Sequence, residues 1–102
     1  MAQFDIHRYA RARGKVRFLV DLQNDLLERL ETRIVAPLYE KKAPDSGISG
    51  ITPEVDLRGK KYVVSMAELA AVHRSELGER VGSLDARRDE LIAGIDLLFT
   101  GI

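Results

Sequence analysis

Two histidines, sixteen carboxylates and no cysteine are the material from which this chain could build a catalytic or metal site. His7 and His73 stand far apart, and neither HxxxH nor HxH occurs. Without such spacing, or clustered carboxylates beside them, each reads as a surface or interface histidine rather than a ligand. Asp89 and Glu90 are adjacent. Helix neighbours point about 100° apart, so this pair is no general acid/base dyad. The lack of cysteine excludes disulfides, thiolate metal sites and a cysteine nucleophile. The phosphate-loop, dinucleotide and nucleophile-elbow motifs are missing, and Gly47 and Gly50 sit in a loop with no helix after it. Three Tyr and three Phe do not interleave with basic residues as a base-stacking platform requires. The expectation is no catalytic residue, no metal and no cofactor. An RNA-cleaving site assembled from scattered Arg, His and Asp leaves no linear signature and stays open.

Composition bounds the rest. At 102 residues, 45% apolar and 31% charged, the chain suits one globular domain spanning 1–102. No apolar run approaches the roughly 20 residues that span a bilayer, and the N-terminus lacks a signal-like apolar stretch. A cytoplasmic address and no membrane partner are the expectations. Formal net charge is zero, which gives DNA or RNA no global electrostatic support. Residues 1–43 nevertheless carry nine Lys/Arg against six Asp/Glu. The cluster Arg8, Arg11, Arg13, Lys15 and Arg17 could contact phosphate or an acidic partner, or could simply be the solvated side of a hairpin.

The elements that must position these groups follow from periodicity. Residues 3–9 alternate, with Phe4 and Ile6 on one face and Gln3, Asp5 and His7 on the other, which predicts a half-buried strand. Residues 10–14 read as a turn. Residues 15–22 alternate again, placing Val16, Phe18, Val20 and Leu22 together and predicting a hairpin with the first strand. Residues 23–31 hold the pair Leu26-Leu27, which a strand cannot aim into one core. Either a helical turn tucks onto the sheet or a leucine lies at an interface. Residues 32–39 predict a strand that is at an edge or bulged at Pro37, which has no N–H to donate. Residues 40–53 form a loop with a possible small hairpin. Further strands are expected over 53–57, 60–66 and 68–77, with a turn at Arg58-Gly59 and a loop over 78–82.

Residues 84–102 carry the longest helical period. Leu91, Ile95, Leu98 and Ile102 share one face. Asp89, Ala93, Asp96 and Thr100 form a small or polar stripe that should look outward. Asp85, Asp89 and Glu90 suit a helix N-terminus, and Gly101 should end the helix. The expected fold is mostly β with a C-terminal α-helix: a small antiparallel barrel or curled sheet capped by that helix.

The order of segments then resembles one family. Gln3-Phe4, FLVDLQNDLL (18–27), TRIVAPL (32–38), MAELAAVHRSELGERVGSL (66–84) and AGIDLLFTGI (93–102) are similar to CcdB, the toxin of the CcdA/CcdB toxin–antitoxin module. The resemblance covers nearly the whole chain. It implies an SH3-like antiparallel β-barrel shared with the Kid/MazF toxins, and a homodimer with Ile95, Leu98, Phe99 and Ile102 at its interface. It implies binding to the A subunit of DNA gyrase, trapping of the cleaved-DNA complex without catalysis, and neutralisation by a CcdA-type antitoxin. No sequence-specific DNA binding by the toxin alone is implied. The family's gyrase contacts carry over to Leu26, Leu27, Asp96, Phe99, Thr100, Gly101 and Ile102.

Two positions depart from the family pattern. Thr100 stands where the best-known pattern has Trp before Gly-Ile, and Asp96 replaces an amide. A Kid/MazF-like endoribonuclease, and a non-toxic homologue that keeps antitoxin binding, are the alternatives.

Overall fold

The computed structural model describes residues 2–11, 14–41 and 52–101. Among them, seven strands form one antiparallel sheet: β1 (Asp5–Tyr9), β2 (Phe18–Asp21), β3 (Thr32–Glu40), β4 (Glu54–Leu57), β5 (Lys60–Val64), β6 (Ala70–His73) and β7 (Leu77–Ser83). The order is β4-β5-β3-β2-β1-β7, and β6 also pairs with β3. The sheet ends in helix α1 (Arg88–Thr100). Mostly antiparallel β with one C-terminal helix is the architecture expected from the periodicity. The small hairpin suggested within 40–53 falls almost wholly outside the described residues.

The main core lies between the sheet and α1. Phe4, Ile6, Phe18, Val20, Leu22, Ala36 and Leu38 alternate inward and meet Met66, Leu84 and Leu91. Phe18 and Tyr62 pack edge to face with centroids 5.6 Å apart. The helix begins at Arg88, after a 3-10 turn over 85–87, rather than at 84. It ends where expected: Gly101 is left-handed (φ 74°), and its N–H donates to the Leu97 carbonyl at 3.1 Å.

Four expectations fail. The connection from β6 to β7 runs from the flank of β3 to the flank of β1, and Val72 and Leu77, near its two ends, pack with Leu19 and Val35 on the far face of the sheet. Far-face residues of β1 and β2 are buried too: Asp5, His7, Leu19 and Asp21. His7 is not a surface histidine; its Nδ1 sits 3.0 Å from the Gly78 carbonyl. Val16 lies before β2 and packs into a second cluster with Leu19, Val35 and Leu77, not with Phe18 and Val20. Residues 68–77 are not one strand, because a 3-10 turn at Arg74–Glu76 separates β6 from β7. The supposed loop 78–82 is strand. Its glycines have a packing reason: a Cβ on Gly78 would stand 3.2 Å from the Arg8 backbone oxygen.

Pro37 is a further correction. β3 has partners on both flanks, so it is neither an edge strand nor bulged at this position. Its outer flank changes partner, from β6 at Thr32–Val35 to β5 at Leu38–Glu40. Pro37 sits in that gap, where its missing N–H faces no strand, and its carbonyl accepts the Ser65 N–H at 3.0 Å.

Candidate functional site

The dileucine stands on a 3-10 turn, Asp25–Leu27, and the sequence left its placement open. A helical turn does form, but it does not tuck inward. Leu26 is 91% exposed and Leu27 50%. Leu30 and Ile34 add exposed apolar area nearby in sequence. Isolated exposed leucines are ordinary, but here two stand on a bonded turn, with Leu30 just after it and Ile34 on β3, which makes this stretch a candidate interaction surface.

Side chains missed by sequence reasoning build the base of this turn. Asp21 and Arg33 are both fully buried and paired at 2.6 Å, with Nε and Nη2 donating to the same carboxylate oxygen. The other Asp21 oxygen accepts the Gln23 N–H at 3.0 Å. The Gln23 side chain donates to the carbonyls of Leu27 and Thr32, and its oxygen accepts the Ile34 N–H. A buried charge pair of this kind is tolerable only when hydrogen bonds meet most of its polar atoms.

The helix end is the second part. Asp89, Ala93, Asp96 and Thr100 are all exposed, as the stripe predicted. Phe99 is 67% exposed. Of the residues the resemblance gives to a dimer interface, Ile95 packs partly against the protomer's own core, Leu98 is half-buried, Phe99 is exposed and Ile102 lies outside the described residues. The Thr100 hydroxyl donates to the Asp96 carbonyl four residues back at 2.6 Å. The hydroxyl hydrogen is thus used within the helix, which leaves the methyl and the oxygen's acceptor capacity for a partner.

The other candidate chemistry is engaged in structure. His73 caps the 3-10 turn before β7: its Nδ1 accepts the Ser75 N–H at 3.1 Å, while the Glu76 carboxylate accepts the His73 N–H. Arg8 pairs with Glu79 at 3.2 Å and Arg11 with Glu76 at 3.5 Å. The basic cluster is therefore partly neutralised by the end of the β6–β7 connection and by β7, and Arg13 lies outside the described residues. The Glu54 carboxyl is held below the usual range, chiefly by its hydrogen bond to Lys41 at 2.6 Å. Among the described residues no group of three or more His, Asp or Glu could hold a metal, and no helix is long and apolar enough to cross a membrane.

The described residues form an antiparallel half-barrel sheet with one C-terminal helix and an exposed apolar turn between β2 and β3. The chain matches the family described as CcdB protein over residues 3–101, and it belongs to that family. Family membership makes it a toxin of the toxin–antitoxin class. Solved structures share its fold. One is the crystal structure of an Mtb toxin, 23% identical over 93% of this chain and 99% of the other, with a TM-score of 0.73. A second is the Mycobacterium tuberculosis toxin MazF-mt6, 19% identical over 93% and 95%, with a TM-score of 0.75. A third is an endoribonuclease in complex with its cognate antitoxin from a mycobacterial species, 11% identical over 96% and 93%, also at 0.75.

Proposed function

We propose that the chain acts by binding: as a homodimer it engages the A subunit of DNA gyrase, traps the cleaved-DNA complex, and is neutralised by a CcdA-type antitoxin in the cytoplasm. The observation that carries this reading is the exposure of Leu26 and Phe99, large apolar side chains held on ordered elements at positions the family uses for gyrase. Interfaces draw most of their energy from a few such anchors. The antitoxin partner has added support in the third neighbour, which is itself a complex with its antitoxin. The dimer is proposed to use Ile95, Leu98, Phe99 and Ile102, and gyrase recognition to use Leu26, Leu27, Asp96, Phe99, Thr100, Gly101 and Ile102.

The endoribonuclease reading has one favouring observation, the fold shared with a solved endoribonuclease at 11% identity. Fold alone does not carry an activity. The walled-in His7 and the capping role of His73 argue against it.

Thr100 sets the expected strength. A buried aromatic covers about 150–250 Å² and can stack on a partner cation, and threonine does neither. With its hydroxyl hydrogen donated to Asp96, Thr100 offers a partner a methyl group and an acceptor oxygen, but no ring. About 1–3 kcal/mol of anchor energy is then missing, a factor of roughly 5–150 in affinity. Expression without antitoxin is expected to arrest growth, and Thr100→Trp to arrest it at lower induction. Normal growth of both strains at full induction would favour the non-toxic homologue. Equal toxicity of the two would reject the weakened anchor.

A further inference from the structure

A three-residue 3-10 turn with every side chain exposed has little stability of its own. The dileucine turn is nonetheless bonded from three directions. Asn24 caps it, its Oδ1 accepting the Leu26 N–H at 2.8 Å. From below, Gln23 Nε2 donates to the Leu27 carbonyl at 3.1 Å and the Thr32 carbonyl at 3.2 Å, and its Oε1 accepts the Ile34 N–H at 3.1 Å. From the N-terminal segment, the Gln3 N–H donates to Asp25 Oδ1 at 2.8 Å, and Gln3 Nε2 donates to the Leu22 carbonyl at 3.0 Å.

Gln3 reaches the turn because the next residue is bent out of ordinary geometry. Phe4 is fully buried yet has φ 69°, a left-handed conformation that bulky residues avoid. Its N–H donates to the Asp21 carbonyl at 2.6 Å, and the Arg88 guanidinium lies over its ring at 5.6 Å. Strain kept in a buried aromatic, next to a clamp on an exposed apolar turn, has a function if the turn must be held in one shape.

We propose that Gln3, Gln23 and Asp25 are positioning residues that preset the Leu26-Leu27 turn for its partner, with the Gln3–Asp25 bond as the removable link. The inference rests on the dileucine being a gyrase contact. The physical basis is preorganisation: a turn already in its bound shape loses less conformational freedom on binding. Asp25 is exposed, so its truncation should loosen the turn and leave the core intact.

Two measurements test it on the full chain. The first is amide hydrogen exchange at Leu26, Leu27 and Leu30, read without any partner. Asp25→Ala should speed exchange at these amides, and Asp25→Asn, which keeps an acceptor oxygen, should restore protection. The thermal midpoint should stay near that of the unaltered chain in both. The second is affinity for the gyrase A subunit. Asp25→Ala should bind about 5–10-fold more weakly, and Asp25→Asn close to normally.

Leu26→Ala separates the two levels of the argument. If it binds as the unaltered chain does, the dileucine is not a contact and the gyrase reading fails there. If it weakens binding while Asp25→Ala does not, the positioning inference alone is overturned. Unchanged exchange in Asp25→Ala, or Asp25→Asn behaving like alanine, overturns it as well.

Discussion

Replacing Arg33 with alanine is expected to destabilise the fold by about 3–5 kcal/mol, because it strands the Asp21 carboxylate in a dry interior. Both side chains are fully buried and pair at 2.6 Å. Arg33 also gives a long contact to the Gln23 carbonyl at 3.5 Å, so the dileucine loop loses support at its base. For a chain of this size such a loss lowers the melting temperature by at least about 12 °C. Arg33 Nη1 has no hydrogen-bond partner among the described residues, so the pair is not fully satisfied even in the intact fold. The double variant Asp21→Leu, Arg33→Met, which removes both charges, is therefore expected to melt above either single alanine variant. Thermal unfolding of the four proteins checks this. A melting temperature for Arg33→Ala within a few degrees of the parent would mean the pair is hydrated rather than buried.

Removing Thr100–Ile102 is expected to separate stability from activity. The segment's described part is exposed, and what it gives the fold is the Gly101 cap on Leu97 and the Thr100 bond to Asp96. Surface changes of this kind cost little, while loss of a recognition anchor costs about 2 kcal/mol or more, roughly 30-fold in affinity. The truncated chain should therefore melt near the parent and fail to arrest growth. The same experiment with Phe99→Ala keeps the cap and removes the ring, 67% exposed. Because Phe99 and Ile102 are also proposed for the dimer, the oligomeric state of both variants is measured alongside, and a lost toxicity with the dimer intact assigns the anchor to gyrase. Full toxicity in both variants would remove the helix end from the recognition surface.

What the sequence made legible depended on whether the signal was local. The helix, its outward stripe of Asp89, Ala93, Asp96 and Thr100, and its terminator Gly101 are set by spacing within one segment. The strand β7 was not legible. LGERVGS has two glycines and two charges, and it pairs with β1 through register shifts on both sides of His7. No period of two survives such an arrangement. The burial of Asp5, His7 and Asp21 was hidden for another reason: their partners Arg80, Gly78 and Arg33 lie on other strands, away in sequence. The Asp21–Arg33 pair could have been suspected from opposite charges on strands that follow one another in sequence. Only the register Asp21↔Val35, however, places Arg33 within reach. Of the proposed recognition surface, periodicity gave the unplaced dileucine and the apolar helix end, and the resemblance alone gave the proposed target.

The central claim is that this chain poisons gyrase by binding, without chemistry of its own. The most direct test adds the purified protein to DNA gyrase, ATP and supercoiled plasmid, then denatures and digests the mixture and looks for linear DNA. The account predicts linear DNA that depends on both gyrase and the toxin, that disappears with the Thr100–Ile102 truncation, and that rises with Thr100→Trp. Absence of linear DNA at saturating toxin, together with defined cleavage of an unstructured RNA in the absence of gyrase, would contradict it.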